Sequence, residues 1–295
     1  MTKLINERWK GIAIVLLSSF FFAFVPTSAK IALDSGVSLM ALLISRCLIG
    51  LVILAPMTYS LRKPILVDRS KVPSLMFVSI ISVCLIASTY HAIGYISIAQ
   101  VLMIIYLFPI GVALITNIKG EEHLSRTQWF SILGVLLGLG ILILDKPSGT
   151  SLYGIFISVI GLLLFIAFIY FTGKLVNETG SVTINLQLSF FSVILLIMYV
   201  FFVPAELSLP TNDYGWLGIL GNGIFYVLSY VLFFIGSKAI GITTASVLAL
   251  TEPLFATIIA LLILSQYLSL QEFSGFIVTL CSLSLFLIFA PKKDG

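Results

Sequence analysis

The run ITTASVLALTEPLFATIIALLIL, residues 242–264, is apolar from end to end except at its middle, where Glu252 is followed by Pro253. At about 1.5 Å of rise per residue it is long enough to cross a hydrocarbon core of about 30 Å as one helix. Both central residues are costly there. A charge at the centre of a membrane helix costs roughly 2.5 to 3.5 kcal/mol on insertion scales. A proline removes one backbone donor, so the carbonyl of Ala249 loses its helical partner. A chain that keeps both has a use for them.

Outward from this run the composition repeats the message. Of 295 residues, 60% are hydrophobic and 9% charged, and the mean hydropathy is +1.18. That leaves too little polar surface to cover a soluble globule. Apolar runs of about 20 residues make a helix bundle; a membrane barrel would show short alternating strands. The three cysteines, Cys47, Cys84 and Cys281, lie within apolar runs without paired spacing and read as packing residues. No metal-ligand cluster or cofactor motif is present, so neither metal nor cofactor is expected. The net charge of +4 sits in short loops beside apolar runs, which argues for membrane orientation and against a nucleic-acid partner.

Ten spans are predicted, at about 10–32, 37–60, 73–96, 98–118, 127–145, 152–174, 182–203, 215–236, 242–264 and 271–290. The third and fourth form one run from Val72 to Ile118, too long for a single crossing, and must turn around Ser97. Charge placement tests the count. With the N-terminus inside, thirteen of the 16 basic residues fall in inner segments: Lys3, Arg8, Lys10, Arg62, Lys63, Arg69, Lys71, Lys119, Arg126, Lys174, Lys238, Lys292 and Lys293. Only Lys30 and Lys146 fall outside, and Arg46 lies within a span. Both termini are therefore expected to be cytoplasmic. Trp9 and Trp129 at inner ends and Trp216 at an outer end suit interface anchors. Lys3, Arg8 and Lys10 ahead of an apolar run also resemble a secretory leader, but nine more spans follow and the first belongs to a repeat.

A shift of 144 residues lays spans four and five on spans nine and ten without a gap. Pro109 falls on Pro253 and Leu124-Ser125 on Leu268-Ser269. The expected division is residues 1–146 and 147–295, two repeats of five spans in one transmembrane unit. Five is odd, so the second repeat enters the membrane from the opposite side. Inverted repeats of this kind mark secondary transporters, whose site lies near the midplane between the halves.

In these features the chain resembles the drug/metabolite transporter superfamily, in its ten-helix EamA branch. The local carriers are Lys30, Arg46, the run from Ala239 to Ser246 leading to Glu252-Pro253, and Tyr106-Leu107-Phe108-Pro109. Ala23-Phe24 and Ser265-Gln266 depart from the branch, which usually has Trp-Gly and Gly-Glu at those places. The resemblance implies transport of small metabolites, a general scaffold role for Arg46, and a fifth and tenth span outside the transport path.

Candidate site residues follow from the cost of their positions. Glu252 lies about 15 Å deep, on a stripe of small side chains, Ala245, Ala249, Ala256 and Ala260. Close helix packing around a buried ion pair explains that pattern, and so does room for a substrate whose cationic group, or a proton, meets Glu252. Arg46 needs an anion, with Glu252 the economical partner and proline-freed carbonyls the alternative. Pro26, Pro109 and Pro253 free the carbonyls of Phe22, Ile105 and Ala249 and mark hinges or the binding region. His91 stands among Ser88, Thr89, Tyr90 and Tyr95, as a packing residue or in proton handling or substrate contact. Tyr90, Tyr106 and Tyr230 are candidates to line an amphipathic cavity between spans 1, 3, 4, 6, 8 and 9. Gly134 with Gly138 and Gly275 with Thr279 are small pairs suited to close packing.

The expected function is secondary active transport in a bacterial inner membrane, by alternating access, of a small polar or amphipathic metabolite. Amino acids and export are favoured through the resemblance alone. Proton coupling through Glu252 is one expected chemistry, and exchange or facilitated diffusion is the alternative if Arg46 neutralises the acid. The partners are a small-molecule substrate and the lipid bilayer, and a monomer is compatible with all of this. A flippase for lipids or lipid-linked carriers is the alternative on the same scaffold. An intramembrane enzyme lacks its motifs, since the chain has two histidines and no nucleophile turn, and a channel lacks a filter or charged ring.

Overall fold

The structure is a computed structural model that describes residues 2–96, 98–143, 151–202, 206–263 and 270–289. The turn at Ser97, the boundary at 146–147, Lys146, Ser265-Gln266, Leu268-Ser269 and Lys292-Lys293 lie outside these residues, as does the side chain of Ala260.

All regular structure among the described residues is helical. In chain order the helices are α1 (Thr2–Phe22) and α2 (Phe24–Asp34), which together make the first span, α3 (Leu39–Ser60) and α4 (Val72–Ile93). The fourth span is α5 (Ile98–Ile105) with α6 (Phe108–Ile118), and the fifth is α7 (Arg126–Ile143). Then come α8 (Leu152–Thr179), α9 (Ser181–Phe202) and α10 (Asp213–Ile240). The ninth span is α11 (Ile242–Ala249) with α12 (Glu252–Ile263), and the tenth is α13 (Leu270–Ile288). Eight of the ten are long and apolar enough to cross a membrane, and the fifth and tenth are shorter apolar helices.

Spans six and eight run past their expected ends because nothing in Lys174-Leu175-Val176 or Ser237-Lys238-Ala239 breaks a helix. Each stops instead at a glycine with positive φ, Gly180 at 108° and Gly241 at 90°. The starts of α3, α8 and α10 are set by side-chain caps: Ser38 accepts from the N–H of Ala41 at 3.3 Å, Ser151 from Gly154 at 3.4 Å and Asn212 from Gly215 at 3.0 Å.

The packing is symmetric under exchange of spans one to five with spans six to ten. Span one lies on span eight and span three on span six; span two meets span seven, span four meets span nine, and span five meets span ten. Each pairing maps onto itself or onto another pairing, as an inverted repeat requires. The 144-residue shift holds at the level of helix ends as well. It carries α5 onto α11 residue for residue, and the starts of α6 and α7 onto those of α12 and α13. A core of Phe168, Phe234, Ile184, Val112, Leu248 and Leu250 lies between the repeats.

Spans five and ten form a pair at one side, and their small residues face each other. A Cβ added to Gly138 would come 2.6 Å from the backbone nitrogen of Thr279 and 2.9 Å from the carbonyl of Gly275. Because these are backbone atoms, the helices themselves must part to make room. Gly138→Ala is expected to cost about 1–3 kcal/mol, read as a lower melting temperature of the detergent-solubilised protein, whereas Ser274→Ala on the exposed face of α13 leaves it unchanged.

Candidate functional site

Pro26, Pro109 and Pro253 sit where three spans break, whereas Pro56 lies inside the unbroken α3. Ala23 interrupts the first, Tyr106-Leu107 the fourth and Leu250-Thr251 the ninth, in each case two or three residues ahead of the proline. The chain tightens to three-residue hydrogen bonds at the breaks: Leu107 N–H donates to Ile104 at 3.1 Å, Leu250 to Val247 at 3.1 Å and Thr251 to Leu248 at 3.0 Å. Side-chain hydroxyls add partners at the ninth span. The carbonyl of Leu248 also accepts from Thr251 Oγ1 at 2.7 Å and from Ser19 Oγ of α1 at 3.4 Å. Ser18 donates across to the carbonyl of Ser229 in α10 at 2.7 Å.

Glu252 is the first residue of α12, where the unsatisfied N–H groups of a helix start favour a negative charge. Its side chain is half-buried and makes neither an ion pair nor a hydrogen bond among the described residues. Tyr106 and Tyr230, both buried, are its polar aromatic neighbours, each within the electrostatic reach of its carboxylate. Tyr230 stands in an aromatic cluster with Phe22 at 4.9 Å, Phe168 at 5.6 Å and Tyr226 at 4.8 Å between ring centroids. Ala249 ends α11 one turn before Glu252 and packs on the core. Phe108, the repeat-related counterpart of Glu252, packs on Phe165 at 4.6 Å.

Arg46 does not pair with Glu252. Its guanidinium lies over the ring of Tyr226, 3.9 Å from the centroid, and its Nε has no hydrogen-bonding partner. The side chain is 6% exposed. The cause is positional: Arg46 on α3 lies against Tyr226 of α10, while the acid starts α12, a helix that packs on α1. A desolvated cation on an aromatic face gains about 2 kcal/mol, which offsets much of the roughly 2.5 to 3.5 kcal/mol cost of placing it there.

Tyr230 is in electrostatic reach of both charges, and Tyr90 joins it around Arg46. The structure thus gathers Glu252, Tyr106, Tyr230, Tyr226, Arg46 and Tyr90 into one neighbourhood. His91 stands apart, exposed beside Tyr95 and 3.3 Å from the hydroxyl of Tyr153. Pro26 is also exposed, while Pro109 and Pro253 are buried. Two features escape a reading by residue type. One is the ring of Tyr226 under Arg46. The other is the contribution of spans two and seven: a narrow cavity of about 30 Å³ beside Arg46 is lined by Ser82, Asn185, Ser189, Ser192, Tyr226 and Tyr230. A larger one of about 280 Å³, between α1, α8 and α10 near Lys10 and Lys238, holds none of these residues.

The end of the bundle that carries Lys119, Lys174 and Lys238 is closed by the loop after α6. Glu122 reaches the N-terminus of α11 and accepts from the N–H of Ile242 at 2.8 Å and of Thr243 at 3.5 Å. Gly241, with its positive φ, lets the carboxylate lie against the backbone, since a Cβ there would be 2.9 Å from its oxygens. Thr116 and Thr243 hydroxyls meet at 2.9 Å in the interior. Glu121 accepts from Tyr170 at 2.8 Å and pairs with Lys174 at 3.0 Å. Partial burial favours its neutral form, but hydrogen bonds from Lys174 and Tyr170 with the charges of Lys174 and Lys119 outweigh it and hold the carboxyl below its usual range. A carboxyl depressed in the folded state loses its contribution only as pH falls through that lowered value. Glu121 is therefore ionised throughout neutral and mildly acidic conditions.

The role of the Tyr226 ring is separable from that of its hydroxyl. Tyr226→Leu is expected to lower stability by about 2 kcal/mol, because Arg46 then keeps its burial and loses its aromatic face. Tyr226→Phe is expected to unfold close to wild type in the same thermal or denaturant titration.

The profile of the EamA-like transporter family matches this chain twice, at residues 9–144 and 146–288. A search of the curated proteins returns no match. Among solved structures, one described only as "Crystal structure of protein" superposes with a TM-score of 0.82 at 13% identity, covering 95% of this chain and 99% of that one. At that identity the likeness concerns the fold alone. With the family profile spanning both halves, the chain is a multi-pass membrane protein that belongs to the EamA-like transporter family.

Proposed function

We propose that this protein is a proton-coupled secondary transporter of the bacterial inner membrane, both termini cytoplasmic, that exports small polar or amphipathic metabolites carrying a cationic group, amino acids foremost. The observation that carries the reading is Glu252: an acid without an ion-pair partner among the described residues, at the start of a half-helix whose repeat-related counterpart has Phe108 instead. An unpaired carboxylate within the bundle is open to exchange between a proton and a cationic substrate. The breaks at Tyr106-Leu107 and Leu250-Thr251 supply repeat-related hinges on either side of it. Substrate and proton would compete for one carboxylate, so an inward proton gradient drives the metabolite out.

Alternating access then requires the Glu121 and Glu122 contacts to part when the site opens to the cytoplasm. Both link the first repeat to the second, and both lie at the end rich in basic residues.

Two measurements test this reading. In liposomes with an imposed pH gradient, Glu252→Gln is expected to reduce gradient-driven accumulation of radiolabelled amino acids at least about tenfold. Unchanged accumulation rules proton coupling at Glu252 out. For the closure, Glu122→Ala removes a helix cap worth about 1 kcal/mol, so a cysteine placed at Ser246 on a cysteine-free background should be labelled about fivefold faster by an impermeant thiol reagent in inside-out vesicles.

A further inference from the structure

We infer that the cavity beside Arg46 is an anion subsite that receives the carboxylate of the transported metabolite, so that the substrate class is a zwitterion and not a simple amine. The inference rests on the transport reading above and adds the second half of the ligand.

Arg46 is 94% buried, counting from its 6% exposure, and its Nε has no hydrogen-bonding partner while the side chain lines the cavity. No carboxylate among the described residues lies within ion-pairing distance of it. Tyr226 covers one face of the guanidinium, Cys47 lies against it, and its Nε–H is left without a partner. Ser82, Ser189 and Ser192 line the same cavity and supply neutral hydroxyl donors. A carboxylate is therefore met by a charged fork and by neutral donors, the pattern that recognises it bidentately. One guanidinium balances a single negative charge. A phosphate dianion would be left one charge short in a site with no second cation lining it. Tyr230 lines this cavity and also neighbours Glu252, so a ligand carrying both charges would span its ring.

Cys47 lines the cavity next to Arg46 and serves as a built-in reporter. In a Cys84→Ser, Cys281→Ser background, the rates at which Cys47 reacts with an anionic and a cationic methanethiosulfonate reagent are each divided by that reagent's rate with a free small thiol; the ratio of the two then cancels the intrinsic reactivity of thiol and reagents alike. The sulfonate reagent is expected to react at least about tenfold faster than the trimethylammonium reagent, because a confined charge focuses its field on what enters. Arg46→Lys should keep the preference and Arg46→Gln should bring the ratio to about one. L-leucine should protect Cys47, and leucinamide, which lacks the carboxylate, should not. A ratio near one in the wild-type side chain, or no reaction with either reagent, overturns the subsite. Equal protection by both ligands, or by neither, overturns the carboxylate assignment. Failure of the transport reading leaves a different trace, since gradient-driven accumulation untouched by Glu252→Gln does not alter the reagent ratio at Cys47.

Discussion

Inside a bilayer a backbone carbonyl that loses its helical donor has no water to turn to, and much of this protein is arranged around that constraint. The ninth span shows how it is met. Where α11 stops, the carbonyl of Leu248 collects a backbone N–H, the hydroxyl of Thr251 and the hydroxyl of Ser19 from the first span. The break is held open by a neighbour as well as by its own chain. That dependence ties α1 to α11, and with α1 comes α10, whose Ser229 carbonyl accepts from Ser18. A defect in one helix is thus a fixed point for three.

The two charges of the interior are handled differently. Glu252 keeps some exposure within the bundle and sits at a helix start, where the local field suits it. Arg46 is nearly sealed and rests on Tyr226. Had they paired, each would have neutralised the other and a ligand would have had to break the bond to enter. Held apart across the Tyr226 and Tyr230 rings, they remain two addresses of opposite sign in one neighbourhood. Keeping them unpaired costs stability, and that cost is tolerable in a bundle whose breaks and rings already fix the surrounding helices.

Much of the architecture was legible because membrane crossing is a length requirement. Apolar runs fixed ten spans, and the shift of 144 residues that aligned Pro109 with Pro253 also aligned the ends of α5 with those of α11. Pro26, Pro109 and Pro253 marked real breaks for a local reason, the missing donor. What stayed illegible is which side chains meet across helices. The spans are apolar on every face, so no periodic stripe tells Tyr226 from the other aromatic residues or aims Arg46 at it. The expected pair between Arg46 and Glu252 matched depth and sign but lacked the angular position of each residue on its helix. Glu122 escaped notice for a related reason: a loop acid beside Lys119 reads as solvated charge, and its partners are backbone N–H groups 120 and 121 residues away.

The contact of Glu122 with α11 also breaks the symmetry of the fold. Under the same shift the equivalent position is Gln266, a neutral residue. If the protein works by the alternating access proposed above, a charged latch at one end whose sequence counterpart is neutral keeps it from resting midway between its states. Such a bias sets where the empty carrier waits and hence how fast it returns after release. It cannot set the direction of net flux, which belongs to the gradients, because a latch is not consumed in the cycle.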